Sequence, residues 1–388
     1  MGLLDDWRAW RAIQNLPDDE RNIIFYSESG QDWHHFEPVI ERLLNHHGRT
    51  ICYISSDAGD PGLTLEHPGF TTFCIGPGLM RIVLFQFLRA DVLVLTMIDL
   101  GNHELKRSIH PVHYIHLFHN PGSIHMVDAA NAYDQYDTIL CAMPHQYEEL
   151  RARERLAGLP ARNLVKQGYP RINALIEESR RREGGPRRDP PTLLLAPTWG
   201  DESILHVCGH ALLEVLLEAG FNVILRPHHE TAKRHPELIE GLLRHFGDHP
   251  RLHHIDRMGD SDSLFDADLM ISDWSGIILE YGLGVGRPVL LIDVPPRIHN
   301  PDYAALGLEP IEWQLRGRFG DVLAPEHIHE APERIRAMLD RPGAHREHIE
   351  KLRRRYLFEH DNCAEIGAAA IIEQADRRAA LRRERSVS

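Results

Sequence analysis

The chain has 388 residues, 43% of them hydrophobic and 26% charged, with a formal net charge of −14 and five cysteines. That length exceeds one ordinary compact domain and favours two. The acidic balance argues against a nucleic-acid binder held by phosphate contacts, and a mean hydropathy of −0.34 fits a soluble globular chain.

Cys52, Cys74 and Cys141 sit inside apolar runs and read as small core residues, and no CxxC or metal spacing appears. The first residues lack the apolar stretch of a signal peptide. The most apolar runs, Ile82–Leu88 and Val92–Ile98, fall well short of the roughly 20 residues that span a bilayer. A cytoplasmic location is therefore expected. The arginine-rich end (Arg377, Arg378, Arg382, Arg383 and Arg385) leaves open a contact with the inner face of a membrane, although a solvated helix end explains it better. The chain holds 27 histidines, so only position within a motif singles one out.

Taken in order, the pattern predicts strands at Asn22–Tyr26, Thr50–Ser55, Thr71–Ile75, Asp91–Thr96, His113–Phe118 and Asp137–Cys141. Helices are expected between them at Trp33–Asn45 and Leu79–Leu88, and after them at Pro144–Ala157. Near-continuous apolar strands of this kind suit a parallel sheet buried on both faces. The segment from Glu177 to Pro191 is charged and rich in Gly and Pro, as a linker would be. The rhythm then restarts, with strands at Thr192–Ala196, Phe221–Leu225, Leu252–Ile255, Asp268–Ser272 and Pro288–Ile292 and helices at Ile204–Glu218 and Pro236–Phe246. From about Glu326 the chain is helical and charged. The expected architecture is two doubly wound α/β domains facing a cleft. Residues 1–178 form the first, 179–191 a linker, and 192–388 the second with its helical tail.

In such folds ligands sit beyond the carboxyl ends of the strands. Four strand-end loops carry suitable chemistry. Pro197-Thr198-Trp199-Gly200 leads into a helix and offers a hydroxyl and amides to an anion, or is an ordinary connection capped by Ser203. Arg226-Pro227-His228 aims a guanidinium and an imidazole from one rigid turn. Asp273-Trp274-Ser275-Gly276 enters a helix, so Ser275 and Gly276 would cradle phosphate while Asp273 braces the loop or meets a ribose hydroxyl. In the first half, His119 ends a strand before Asn120-Pro121-Gly122-Ser123, well placed as a general base, with His125 beyond it and His116 read as a core residue. No strand is followed by GxGxxG; Gly282, Gly284 and Gly286 close a helix, which argues against a dinucleotide site.

As an ordered set these segments resemble the CDP-glycerol glycerophosphotransferase family, the teichoic-acid primases and polymerases of GT-B fold. The likeness is carried by Gly168-Tyr169-Pro170-Arg171, Leu195-Ala196-Pro197-Thr198-Trp199, Leu225-Arg226-Pro227-His228 and the run from Ser261 through Asp273-Trp274-Ser275, continued by Glu280-Tyr281 and Arg287-Pro288-Val289. Asn120-Pro121-Gly122 replaces the family's Gly-Thr-Pro after the histidine, His229 replaces a proline, and Gly276 replaces a second serine. The resemblance implies transfer of a polyol-phosphate from a CDP-activated donor to an acceptor hydroxyl, with release of CMP. His119 would be the base, and His228 with Arg226 would stabilise the pyrophosphate. Thr198, Asp273, Ser275 and Gly276 would hold the donor, and Ser123, His125 and Arg171 would face the acceptor, lipid-linked or polymeric. No cofactor or metal ion is expected. A nucleotide-sugar glycosyltransferase or epimerase, and a non-catalytic binding protein of the same fold, are the alternatives.

Overall fold

The computed structural model describes residues 2–98, 100–101, 105–182, 188–255, 262–358 and 361–387. The middle of the expected linker (183–187), Ser261 and the side chain of Arg385 lie outside the described residues. Two parallel sheets organise the rest. The first contains β1 (Ile23–Ser27), β2 (Ile51–Ser55), β3 (Phe70–Cys74), β4 (Val92–Leu95), β5 (His113–Leu117), β6 (Thr138–Cys141) and β7 (Asn163–Lys166). The second contains β8 (Thr192–Leu195), β9 (Asn222–Leu225), β10 (Leu252–His254), β11 (Leu269–Ser272), β12 (Val289–Ile292) and β13 (Gly320–Leu323).

Among the described residues the strand orders are β3-β2-β1-β4-β5-β6-β7 and β10-β9-β8-β11-β12-β13. In each sheet the order reverses once, beside β1 in the first and β8 in the second, which opens a crevice at the carboxyl ends of the strands. The apolar runs form these central strands because both faces are covered: every residue of β1, β4 and β12 is buried. The sequence pattern missed β7 and β13. Both are edge strands whose residues are partly exposed, so they lack an apolar run. The helix expected over Ile204–Glu218 breaks at Cys208 into Ile204–Val207 and Gly209–Glu218.

The tail corrects the expected grouping. Helix Cys363–Val387 returns to the first sheet instead of staying with the second. Ala368, Ile371 and Ala375 enter the core formed by Ile23, Phe25, Val92 and Val94. Their spacing puts all three on one helical face. Around that stripe Arg49 makes a two-pronged pair with Asp376 at 2.7 Å, and Arg382 reaches Asp91 at 3.1 Å and Asp18 at 3.2 Å.

The two domains share a seam. Helix Pro170–Arg181 lies on the turn Glu280–Val285, and a Cβ on Gly284 would stand 2.8 Å from Leu175 Cβ, closer than any other residue there could tolerate. A second contact docks the short helix Ile124–Val127 against residues 299–312. Ser123 Oγ accepts from Ile311 N–H at 2.7 Å, Glu312 Oε1 accepts from Ser123 N–H at 3.0 Å, and Asn300 donates to the His125 carbonyl at 2.8 Å. His125 is buried and paired with buried Glu149 at 3.1 Å. Burial opposes its charge most strongly, but the Glu149 carboxylate, the Leu308 carbonyl and the Glu312 charge together outweigh it and raise its pKa.

Glu312 is less well served. Its Oε2 is buried without a hydrogen-bond partner among the described residues, and burial pushes its pKa up to about 7. Between the ordinary carboxylate value and about 7 the folded chain keeps a proton that the unfolded chain has released. The native state therefore loses stability as pH rises through that interval.

Two outcomes follow. Ile371→Ala should lower unfolding free energy by about 2–4 kcal/mol, read by urea denaturation, because it leaves a cavity under the returning helix. Glu312→Gln should remove part of the decline in Tm between pH 5 and about 7.5 that the parent chain shows in a thermal melt series.

Candidate active site

The crevices of the two sheets meet in one cleft of roughly 1360 Å³. Every strand-end loop named from the sequence contributes to its walls or to their bracing. On the second-domain side, β8 delivers Ala196 and Pro197, β9 delivers Arg226, Pro227, His228 and His229, and β11 delivers Ser275, Gly276 and Ile277. Asp273 holds these loops in register. Its buried carboxylate accepts from Thr198 N–H at 2.7 Å and Ile204 N–H at 3.0 Å, which ties the β8 loop to the β11 loop. Asp273 thus braces the two loops and does not itself line the cleft. Thr198 is likewise buried behind the cleft surface, whereas Ser275 and Gly276 line it at the start of the helical segment Ile277–Val285.

His228 caps helix His229–Arg234: its Nδ1 accepts from Glu230 N–H at 3.2 Å. The proton of the neutral ring therefore sits on Nε2, free to donate. Burial first, then the charges of its neighbours, depresses its pKa to about 4. It is a neutral hydrogen-bond donor at physiological pH. Arg226 is buried beside it and donates to Ser263 Oγ at 3.2 Å. Behind this wall two guanidinium groups approach the Trp199 ring, Arg297 at 3.7 Å and Arg234 at 4.8 Å from its centre.

The first-domain side is built on β1 and β5. His119, Asn120 and Pro121 face the cleft from β5. Desolvation holds the His119 pKa below the ordinary histidine value, while the Asp32 carboxylate and a bond to the Thr96 carbonyl favour the protonated ring. A ring nitrogen donating to Thr96 leaves the other as an acceptor toward the cleft. Asp32 is itself fixed: Oδ1 accepts from Thr96 Oγ1 at 2.9 Å and Oδ2 from Glu28 N–H at 2.9 Å. His35 stands 6.0 Å from His119 by ring centres, and His34, with its pKa lowered to about 4 chiefly by burial, lines the wall next to it. Asp32, His34 and His35 were not legible as site residues, because the loop after β1 carries no phosphate-type motif.

Arg171 reaches the cleft floor, where its Nε donates to Glu280 Oε2 at 2.6 Å across the domain boundary. Tyr169 O–H lies 3.2 Å from Glu280 Oε1 and 3.1 Å from the His119 carbonyl, so one carboxylate gathers residues from both domains under the histidine. Ser123 and His125, expected on the acceptor side, are instead committed to the domain seam and do not line the cleft. His116 is fully buried in the core, packed on Phe118, Tyr133 and Tyr136. The two unusual residues of the loops meet across the cleft. Asn120 Oδ1 accepts from Gly122 N–H at 2.8 Å and lies 2.9 Å from the position a Cβ on Gly276 would take.

Comparisons with known proteins agree with this arrangement. Residues 119–294 match the family described as CDP-Glycerol:Poly(glycerophosphate) glycerophosphotransferase. No curated protein matches the chain. Among solved structures, the wall teichoic acid polymerase TagF, soaked with CDPG, superposes with a TM-score of 0.61 at 14% identity, covering 98% of this chain and 100% of that one. The UDP-GlcNAc 2-epimerase of Methanocaldococcus jannaschii, in complex with UDP-GlcNAc and UDP, gives 0.51 at 12% identity over 85% of this chain and 98% of that one. WaaG, a glycosyltransferase involved in lipopolysaccharide biosynthesis, gives 0.51 at 14% identity over 90% and 99%. These likenesses show the GT-B fold. On this GT-B scaffold, the cleft residues His119, Arg226, His228, Ser275 and Gly276 thus all fall within the segment, residues 119–294, that matches the CDP-glycerol:poly(glycerophosphate) glycerophosphotransferase family.

Proposed function

We propose that the cleft transfers glycerol phosphate from CDP-glycerol to an acceptor hydroxyl of a cell-surface polymer of the teichoic-acid kind, releasing CMP. The observation that carries the reading is the pairing, across one cleft, of a neutral histidine acceptor with a set of anion-directed donors inside the family-matched segment. His119 takes the proton of the attacking hydroxyl. The hydroxyl oxygen bonds to the β-phosphorus as the bond to the bridging oxygen breaks, and the electron pair leaves with CMP. Asp32 and the Thr96 carbonyl stabilise the imidazolium that forms.

Charge on the departing phosphate meets Arg226, the His228 Nε2–H and the amides beside Ser275 and Gly276. Positioned donors of this kind are the main contribution a protein makes to phosphoryl transfer. We assign the pyrophosphate charge to these donors and propose no cofactor or metal for this step. The glycosyltransferase and epimerase likenesses hold at the level of fold and add no residue to this assignment.

His119→Ala should lower kcat by about 10²–10⁴-fold with CDP-glycerol and a glycerol-phosphate-primed acceptor, followed as CMP release. Because the His119 pKa lies below the ordinary histidine value, activity should be flat above pH 7 and fall only on the acid side. An acid limb centred above pH 7, or full activity in His119→Ala, overturns the assignment.

We further infer that the protein works against a membrane surface carrying its acceptor. Helix Leu3–Asn15 and helix Leu79–Phe87 pack together and leave Leu3, Leu4, Trp7, Leu79 and Phe87 exposed. The C-terminal arginines support this less, since Arg382 is engaged by Asp18 and Asp91. Leu4→Glu/Trp7→Glu should abolish co-sedimentation with anionic vesicles while leaving turnover of a soluble acceptor intact; unchanged sedimentation refutes the surface.

A further inference from the structure

Among the described residues, one group of three side chains can converge on a metal ion: Asp201, His206 and His235, each with a ligand atom within 4.8 Å of the other two. None of the three lines the cleft. They come from two separate elements. Asp201 and His206 flank the turn that leads from the β8 loop into helix Ile204–Val207, and His235 ends helix His229–Arg234, whose first turn is capped by His228.

We propose that Asp201, His206 and His235 bind a zinc-class divalent transition-metal ion that pins the Trp199 loop to the His228 helix. His235 Nε2 lies 3.8 Å from Asp201 Oδ1, and the two imidazole rings stand edge to face at 4.8 Å. Ligand atoms in a tetrahedral zinc site are about 3.3 Å apart, given bonds of about 2.0 Å. Small side-chain rotations therefore close the set.

The surroundings fit a coordinated state. Glu237 Oε1 lies 3.5 Å from His235 Nδ1, the carboxylate–histidine relation that orients a ring whose other nitrogen ligates a metal. Ser203 Oγ lies 3.2 Å from His206 Nδ1 and plays the same part for the second ring. The backbones are held as well: His206 N–H donates to Ser203 at 3.0 Å and His235 N–H to Thr231 at 2.8 Å. Among the described residues no lysine or arginine pairs with Asp201 or Glu237; the nearby Lys233 and Arg234 pair with Glu230. Two imidazoles and one carboxylate select zinc, cobalt or nickel over magnesium or calcium, which prefer all-oxygen shells. Three protein ligands leave a fourth position for water.

Because the ion would hold the loop carrying Trp199 to the helix carrying His228, its binding stabilises the donor-side wall without taking part in transfer. The site is independent of the functional assignment, and the test reads metal, not turnover. The metal-free full-length protein is dialysed against Zn²⁺, and zinc per chain is measured beside His206→Ala/His235→Ala. The parent should retain one more zinc than the variant, show a Tm that rises with Zn²⁺ but not with Mg²⁺, and give the visible absorption of tetrahedral Co²⁺ when cobalt replaces zinc. Equal zinc content in the two proteins, or no Tm response in the parent, overturns the proposal. If the double variant fails to fold, Asp201→Asn decides the matter, since that side chain is largely exposed. It should weaken zinc binding at least tenfold, and unchanged affinity refutes the site.

Discussion

The ion pair between Arg171 and Glu280 is the contact on which the cleft depends. It joins the end of one domain to the helical turn of the other, with Tyr169 bridging from the same carboxylate to the backbone of His119. Breaking a pair this sheltered leaves one charge without a partner, which costs far more than the pair itself contributes. The arrangement therefore fixes orientation more than it adds stability. With Gly284 pressed on Leu175 a turn away, the two sheets are locked at the angle that points both crevices at each other. His119 and the Arg226–His228 wall can face each other across one cleft only because of that angle.

Histidine dominates the cleft, yet its charge does not. His119, His228, His34 and His35 all have depressed pKa values, in each case first because of desolvation. A wall of neutral imidazoles with guanidinium groups behind it can meet an anion by directed hydrogen bonds, and keeps a lone pair available on His119. The acidic net charge of the chain is thus no obstacle to a phosphate-bearing substrate, because the local donors, not the global charge, set the field.

Much of this was legible. Runs such as Val92–Leu95 and Leu269–Ser272 can only be strands of a two-sided sheet, and loops rich in His, Arg, Ser and Gly after such strands must lie at the crevice. What stayed hidden has physical reasons. The edge strands Asn163–Lys166 and Gly320–Leu323 are polar because one side meets solvent. Asp32, His34 and His35 lie at a helix start, where such residues usually serve the helix alone. Ser123 and His125 have the right chemistry for a site, but only the tertiary seam shows that Ile311 and Glu149 occupy them. The return of the last helix was written in Ala368, Ile371 and Ala375, a stripe too small to stand out among arginines.

Asn120 and Gly276 carry a consequence for variants of the cleft. The carboxamide of Asn120, held by the Gly122 amide, occupies the space that a side chain at 276 would need. A serine at 276 therefore requires the Asn120 carboxamide to turn away from the Gly122 amide, so that a change in one loop is felt as a change of rotamer in another, far apart in the chain.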